Sequence, residues 1–227
     1  MKCIWLGQAG LLFDFDGTTV MVDPYLSDSV AAVNPRNKRR VPVDERFFEI
    51  RPDVLLLTHD HLDHTDPETI KEFLGRYQGI TVLASQNAWM IAKEYQNGHN
   101  YVQFDAGTEW TQDAVHFRAV HARHSDPHAI GALITEGEKT WYVTGDTLYC
   151  SDIIEEVKMT GKQLEAVFVP INGVGNNMNR ADASRFARAV GAKKTVPLHF
   201  GLFDAIDPQE FVSENKIIPQ IYREIPL

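Results

Sequence analysis

The sequence predicts an α/β (α+β) fold in which two packed β-sheets carry helices on their outer faces. Three observations lead there. Short strand-type runs fall into two groups, each followed by alternating helix and strand signals, and no Pro-, Gly- or Ser-rich tract separates the groups. Of the 227 residues, 44% are hydrophobic, enough to bury a shared core. One domain over residues 1–227 is therefore expected.

The opening residues read as a meander of strands over 3–6, 11–15 and 18–22, with Asp16-Gly17 as the tight turn between the second and third. A polar stretch over 34–40 follows, and then a buried-type strand over 54–57 runs directly into Thr58-His59-Asp60-His61-Leu62-Asp63-His64. Asp66 is placed to cap a helix with Pro67 in its first turn, because Ile70, Phe73, Leu74 and Tyr77 repeat at i, i+3, i+4, i+7. The histidine run thus sits between a strand end and a helix start. A strand over 80–84 and a helix over 85–95 close the first half. Strands over 115–120, 129–135 and 140–143 open the second. It continues with a helix from about Ser151, a strand over 166–169, a helix over 181–190 with Asn179 as a candidate cap, and a strand over 194–198.

The charge balance is acidic, 22 Lys and Arg against 31 Asp and Glu for a net −9, so large nucleic acid and anionic membranes are not expected partners. Cys3 and Cys150 form neither a disulfide framework nor a CxxC motif. The first residues lack a signal-peptide pattern, and no run of apolar residues is long enough to span a bilayer. A cytoplasmic protein acting on a small-molecule substrate is the expectation, and the sequence is compatible with a homo-oligomer. No GxSxG elbow or Walker loop occurs, which removes the serine hydrolase and NTPase readings.

Nine histidines cluster mostly in two short stretches, and the pattern His-x-His-x-Asp-His over 59–64 is the strongest signal. Residues two apart on extended chain point the same way, so His59 and His61 can converge on one cation while Asp63 and His64 converge on a second. Imidazole and carboxylate suit zinc, manganese and iron. These four residues cannot complete two sites, and the further candidates follow later strands. They are the segment His121-Ala122-Arg123-His124-Ser125-Asp126-Pro127-His128, then Asp146, then His199. Asp146 is the candidate bridge, since one carboxylate can offer an oxygen to each cation.

These motifs, in this order, resemble the metallo-β-lactamase superfamily, and within it most nearly the ascorbate-6-phosphate lactonase family and related metal-dependent hydrolases. The segments that carry the likeness are WLGQAGLLFDFDGTTVMVDPYLSD, THDHLDHTD, ARHSDPHAIGALI, YVTGDTLY, PINGVGNNMN and VPLHFGLFD. The resemblance implies a four-layer αββα sandwich. It also implies His59, His61 and His124 on a first metal, Asp63, His64 and His199 on a second, Asp146 bridging, and Asp23 orienting the ligand loop from behind. Gln8 stands where several neighbouring families place a histidine. Flavodiiron-type members carry glutamate at the position of His61, so oxygen reduction is not implied. The common zinc β-lactamases carry arginine and cysteine at the positions of His64 and Asp146, so antibiotic hydrolysis is not implied either.

The expected cofactors are two divalent metal ions, zinc or manganese. The expected reaction is attack of metal-activated hydroxide on a lactone or ester of a small anionic metabolite. Asp63 and Asp146 are the catalytic candidates, Asp63 as proton acceptor, and His121 is a candidate proton donor. His121, Asn172 and Gly173 are candidate substrate contacts, and Lys38-Arg39-Arg40 is either an anion site or a solvated loop. The alternative is a phosphodiesterase acting on a cyclic nucleotide or similar diester. A third reading is an idle metal-binding relative.

Overall fold

The computed structural model describes residues 1–95 and 97–227. The first half contains β1 (Lys2–Gly7), β2 (Gly10–Asp14), β3 (Thr19–Val22), α1 (Ser29–Val33), β4 (Val54–Leu57), α2 (Pro67–Arg76), β5 (Thr81–Ala84), α3 (Gln86–Ala92) and β6 (Asn100–Gln103). The second contains β7 (Glu109–Gln112), β8 (Val115–His121), β9 (Ile130–Glu136), β10 (Lys139–Val143), α4 (Ser151–Met159), β11 (Leu164–Pro170), α5 (Arg180–Val190) and β12 (Thr195–Leu198). Strands β1 to β6 form one sheet in sequence order, antiparallel through β3 and parallel beyond it. Strands β7 to β12 form the other, antiparallel through β10 and then parallel. Each parallel step needs a crossover: the segment with α1 supplies it between β3 and β4, α2 and α3 supply the next two, and α4 and α5 supply those of the second half.

Strand β4 shows how sequence sets the layers. Val54 and Leu56 belong to the core between the sheets, while Leu55 and Leu57 belong to the separate cluster under α2 and α3. A strand alternates its side chains between faces, so one buried on both faces reads as a continuous apolar run. Phe13 of β2 meets Phe168 of β11 edge-on across the sandwich, with ring centroids 5.6 Å apart. On the outer faces, α2 buries Ile70, Phe73 and Leu74, and α5 buries Ala183, Phe186, Ala187 and Val190 at helical spacing. Asp66 accepts from the backbone N–H groups of Glu68 and Thr69, and Asn179 from those of Ala181 and Asp182, so both expected caps are present. The result is the four-layer αββα sandwich of the metallo-β-lactamase type.

Two strands were not legible in the sequence. β6 and β7 are half-exposed edge strands with little apolar alternation, and they hold their places by pairing with β5 and β8. The helix expected over 85–95 is shorter, Gln86–Ala92. The chain after β12 runs back along the molecule: the Tyr222 N–H donates to the Trp5 carbonyl at 2.7 Å, and Thr195 N–H donates to the Asn215 carbonyl at 3.0 Å. The outer edges of β1 and β12 are thereby paired rather than open. Among the described residues, no helix is long and apolar enough to cross a membrane.

β1, β3 and β4 end at the same rim of the first sheet, as do β8, β10, β11 and β12 in the second, because each set runs in one direction. The Ile130 N–H donates to the Thr58 carbonyl at 3.0 Å and joins the two sheets at that rim.

Candidate metal centre

The loop after β4 is folded on itself. The N–H groups of His64 and Thr65 both reach the His61 carbonyl, and the Thr65 hydroxyl donates to the His59 carbonyl at 2.6 Å. Asp126, from the second half, accepts from Asp60 N–H at 3.2 Å and from Asn87 Nδ2 at 2.8 Å, so the loop is pinned across the sandwich. This geometry gathers the side chains of residues 59–64 at the common rim. His124 from the segment after β8, Asp146 after β10 and His199 after β12 meet them there.

The rings of His59, His61 and His124 form an even triangle, each pair of centroids 4.6 Å apart. Their ligating atoms lie within 4.8 Å of one another, as do those of a second set, Asp63, His64 and His199. Asp146 stands with the second set, its Oδ2 3.4 Å from His64 Nε2 and 3.2 Å from His199 Nε2, while its Oδ1 has no hydrogen-bond partner. The fold thus brings together His59, His61, Asp63, His64, His124, Asp146 and His199, the seven candidates of the sequence.

The outer ring nitrogens explain how the imidazoles are aimed. Asp23 is fully buried; it accepts from the Thr58 N–H at 2.8 Å, from the Thr58 hydroxyl at 2.6 Å and from His64 Nδ1 at 2.8 Å. With its proton directed at Asp23, the Thr58 oxygen, 3.0 Å from His59 Nδ1, is left to accept from that ring. His124 Nδ1 faces the Asn176 carbonyl at 3.2 Å. Each contact turns an Nε2 inward. His199 Nδ1 lies 3.0 Å from the Asn172 amide and 3.3 Å from that of Gln8, and Gln8 Nε2 donates to Asp63 Oδ2 at 2.9 Å. Gln8, Asp23 and His199 all have left-handed backbone, with φ of 47°, 43° and 60°. Such strain in non-glycine residues gathers where a site holds its side chains against local preference.

Four of the inward atoms lack a hydrogen bond. Nε2 of His59, of His64 and of His199 and Oδ1 of Asp146 are buried without a hydrogen-bond partner. His61 Nδ1 and His124 Nε2 lie 3.1 Å apart, and Ser125 Oγ lies 3.0 Å from His61 Nε2, so these two rings are held against each other at the same point. Buried polar atoms in folded proteins are almost always satisfied, and these groups of His and Asp atoms could hold metal. The donor set, imidazole nitrogens and carboxylate oxygens with no thiolate, fits zinc or manganese.

Without cations, protons carry that role. Burial opposes charge on His64 and His199, yet the carboxylates of Asp146 and its neighbours outweigh it. They hold His64 well above the usual histidine range and raise His199 to about 10. Asp63 and Asp146 move the other way, since burial would raise them but the two imidazolium charges pull both well below the ordinary carboxylate range. His59 is pushed well down by burial and by His64.

The candidate substrate contacts divide. Asn172 lines the cavity of about 250 Å3 that opens over Asp63, Asp146 and His199. Gly173 does not; its left-handed backbone, φ 68°, turns the loop, and a side chain there would press on Asn179. His121 also lies elsewhere: it is the last residue of β8, its Nδ1 is 3.0 Å from Glu156 of α4, and it lines a separate cavity with Arg123 and Cys150. Arg39 is buried in structural bonds, while Lys38 and Arg40 are exposed. One contact was not singled out beforehand: Asn177 Nδ2 donates to Asp146 Oδ2 at 2.7 Å. The Asn-rich run from Asn172 to Asn179 was its signal.

A family model described as a beta-lactamase superfamily domain matches residues 18–200. A UPF0173 metal-dependent hydrolase of Ligilactobacillus salivarius is 31% identical over 91% of this chain and 88% of its own length. Another from Geobacillus thermodenitrificans is 29% identical, covering 94% and 92%. In fold, the chain is similar to a possible metal-dependent hydrolase from Veillonella parvula, with a TM-score of 0.80 over 100% of this chain and 99% of that one at 15% identity.

Proposed function

Because the chain belongs to the beta-lactamase superfamily, among its UPF0173 metal-dependent hydrolases, we propose that its two-metal centre directs water onto the carbonyl of a lactone or ester in a small metabolite. The observation that carries this reading is the set of buried atoms without a hydrogen bond, Nε2 of His59, His64 and His199 and Oδ1 of Asp146, within one cluster of His and Asp side chains. In the proposed assignment His59, His61 and His124 would hold one cation and Asp63, His64 and His199 the other, with Asp146 beside the second set. Bound there, two divalent cations would lower the pKa of a water towards about 7 and polarise the oxygen of the scissile group.

The side chains have separate tasks. Asp23 and Thr58 fix the rings of His64 and His59, so the ligands need no reorganisation when a cation arrives. Asn177 holds Asp146 through one carboxylate oxygen. Asp63 is the carboxylate of the cluster with solvent access, its side chain 18% exposed and at the cavity wall, which supports it as the acceptor of the proton of the attacking water. Gln8 keeps the other face of Asp63 occupied, leaving one oxygen for that proton.

The test is a parallel assay of glucono-δ-lactone, p-nitrophenyl acetate and bis(p-nitrophenyl) phosphate with zinc and then manganese. Turnover of the lactone or the carboxylic ester is expected. Hydrolysis of the phosphodiester alone would replace this reading with a phosphodiesterase.

A further inference from the structure

The wall of the cavity says more about the substrate than the ligands do. Beside the ligand-type residues it is lined by amides and by three apolar side chains, Val30, Val174 and Phe203. Among the described residues, no lysine or arginine lines it. The basic run over 38–40 is close by and turned to other tasks. Arg39 sits over the Tyr25 ring at 5.2 Å and donates to the Tyr25 carbonyl at 2.7 Å and to the Tyr222 hydroxyl at 2.7 Å. Arg40 donates to the backbone carbonyl of Asp204, itself a wall residue. Tyr25, fully buried, then builds the wall: its hydroxyl accepts from the Val30 N–H at 3.2 Å, and its ring meets Phe203 edge-on at 5.6 Å. The Arg39 charge therefore lies behind the wall, where it supports an apolar surface, while the exposed Arg40 is engaged by the Asp204 carbonyl.

Val174 faces this surface from the opposite loop. It is 65% exposed, an unusual position for a valine, and the loop is fixed by Gly173 N–H to the Met178 carbonyl at 3.1 Å and Asn177 N–H to the Val174 carbonyl at 3.3 Å. An apolar group held out at a cavity mouth contributes when a ligand covers it.

We propose that the substrate is uncharged away from its reacting group and carries a short apolar substituent seated between Val30, Val174 and Phe203, in place of a phosphate or other second anion. The proposal rests on hydrolysis occurring in this cavity. It departs from the anionic metabolite expected from sequence, for a physical reason. A phosphate would meet apolar carbon there, and no lysine or arginine is among the residues that line the cavity to receive it.

Hydroxamates separate the tail from the reaction, since one metal-binding head can carry different tails. Zinc-loaded full-length protein is titrated calorimetrically with acetohydroxamate, hexanohydroxamate and phosphonoacetohydroxamate. Burial of the longer tail is expected to tighten hexanohydroxamate over acetohydroxamate about tenfold, with the phosphonate no tighter than acetohydroxamate. In Val174→Ser the hexanoyl-to-acetyl ratio is expected to fall towards one. A wild-type ratio near one, or tightest binding of the phosphonate, overturns the proposal. Turnover distinguishes the two failures. If glucono-δ-lactone 6-phosphate is cleaved in preference to glucono-δ-lactone, the apolar wall is wrong and the reaction stands. A tail preference without hydrolysis of any lactone or ester leaves the wall and removes the reaction. Absence of binding by all three hydroxamates removes both.

Discussion

Each imidazole of the cluster is aimed by what its outer nitrogen touches, which makes the contacts behind the ligands testable one residue at a time. Asp23 has three donors on two oxygens. Asp23→Asn keeps the shape but removes the charge facing His64. On the proposed assignment, a loss of this kind lowers metal affinity about 10–100-fold, read by competition with a chromophoric chelator. An unchanged affinity would show that Asp23 serves only the fold. Asn172 invites the same experiment. When His199 binds a cation through Nε2, its Nδ1 carries the proton and needs an acceptor. The Asn172 amide, 3.0 Å away and with one oxygen otherwise unpartnered, offers one by turning that oxygen to the ring. Asn172→Ala is expected to weaken metal binding by about tenfold or more, and Asn172→Asp to recover most of it. Equal affinity in Asn172→Ala and wild type would remove that role.

The metal-free protein adds a pH signature at this scale. Burial disfavours charge on His199, but Asp146 and Asp63 raise its pKa to about 10. A histidine raised on folding stabilises the fold below its unfolded pKa near 6.5, and that contribution disappears as pH rises through about 10. His64 shifts in the same direction. The Tm of chelator-treated protein is therefore expected to fall between about pH 7 and 10. A Tm that rises over that window would contradict the pairing.

Among elements, the turn after β10 is the most constrained. Gly145 has φ 59°, and a Cβ there would stand 2.6 Å from the Ile130 carbonyl oxygen and 3.1 Å from Thr58 Cβ. Gly145→Ala forces a non-glycine residue into left-handed backbone, at about 1–2 kcal/mol, in addition to the clash. A Tm lowered by at least about 2–8 °C is expected, with loss of metal content because Asp146 is the next residue. A variant with wild-type Tm and metal content would mean that the rim adjusts more freely than its contacts imply.

The elements also separate what sequence can disclose from what it cannot. β4 was legible as a continuous apolar run because both its faces are buried, and α2 because burial imposes a period of 3.6 and Asp66 and Pro67 mark its start. The ligand set was legible for a similar reason: residues 59–64 carry their chemistry within one loop, and the partners follow strands. β6 and β7 left no such pattern, since they are held by neighbours across the sheet. His121 and His124 are three residues apart on one segment, yet the end of β8 turns the first to Glu156 and the second to His61. The task of Arg39 was hidden too, because Tyr25 and Tyr222 meet it only in the folded chain.

On the scale of the whole molecule, two sheets meet at one rim and the centre is built across that seam. Residues 23 and 59–64 come from the first half, and His124, Asp146 and His199 from the second. A cation held by both halves stabilises the folded state by mass action, about 4 kcal/mol for one site at a thousand times Kd. Chelation is accordingly expected to lower Tm well beyond the shift from any single second-layer variant. The most direct measurement is elemental analysis of the full chain after zinc loading and exhaustive dialysis, with Asp146→Ala and His61→Ala alongside wild type. The expected result is two zinc ions per wild-type chain and clearly fewer in each variant. Wild type retaining one or none, or both variants retaining two, would contradict the dinuclear centre.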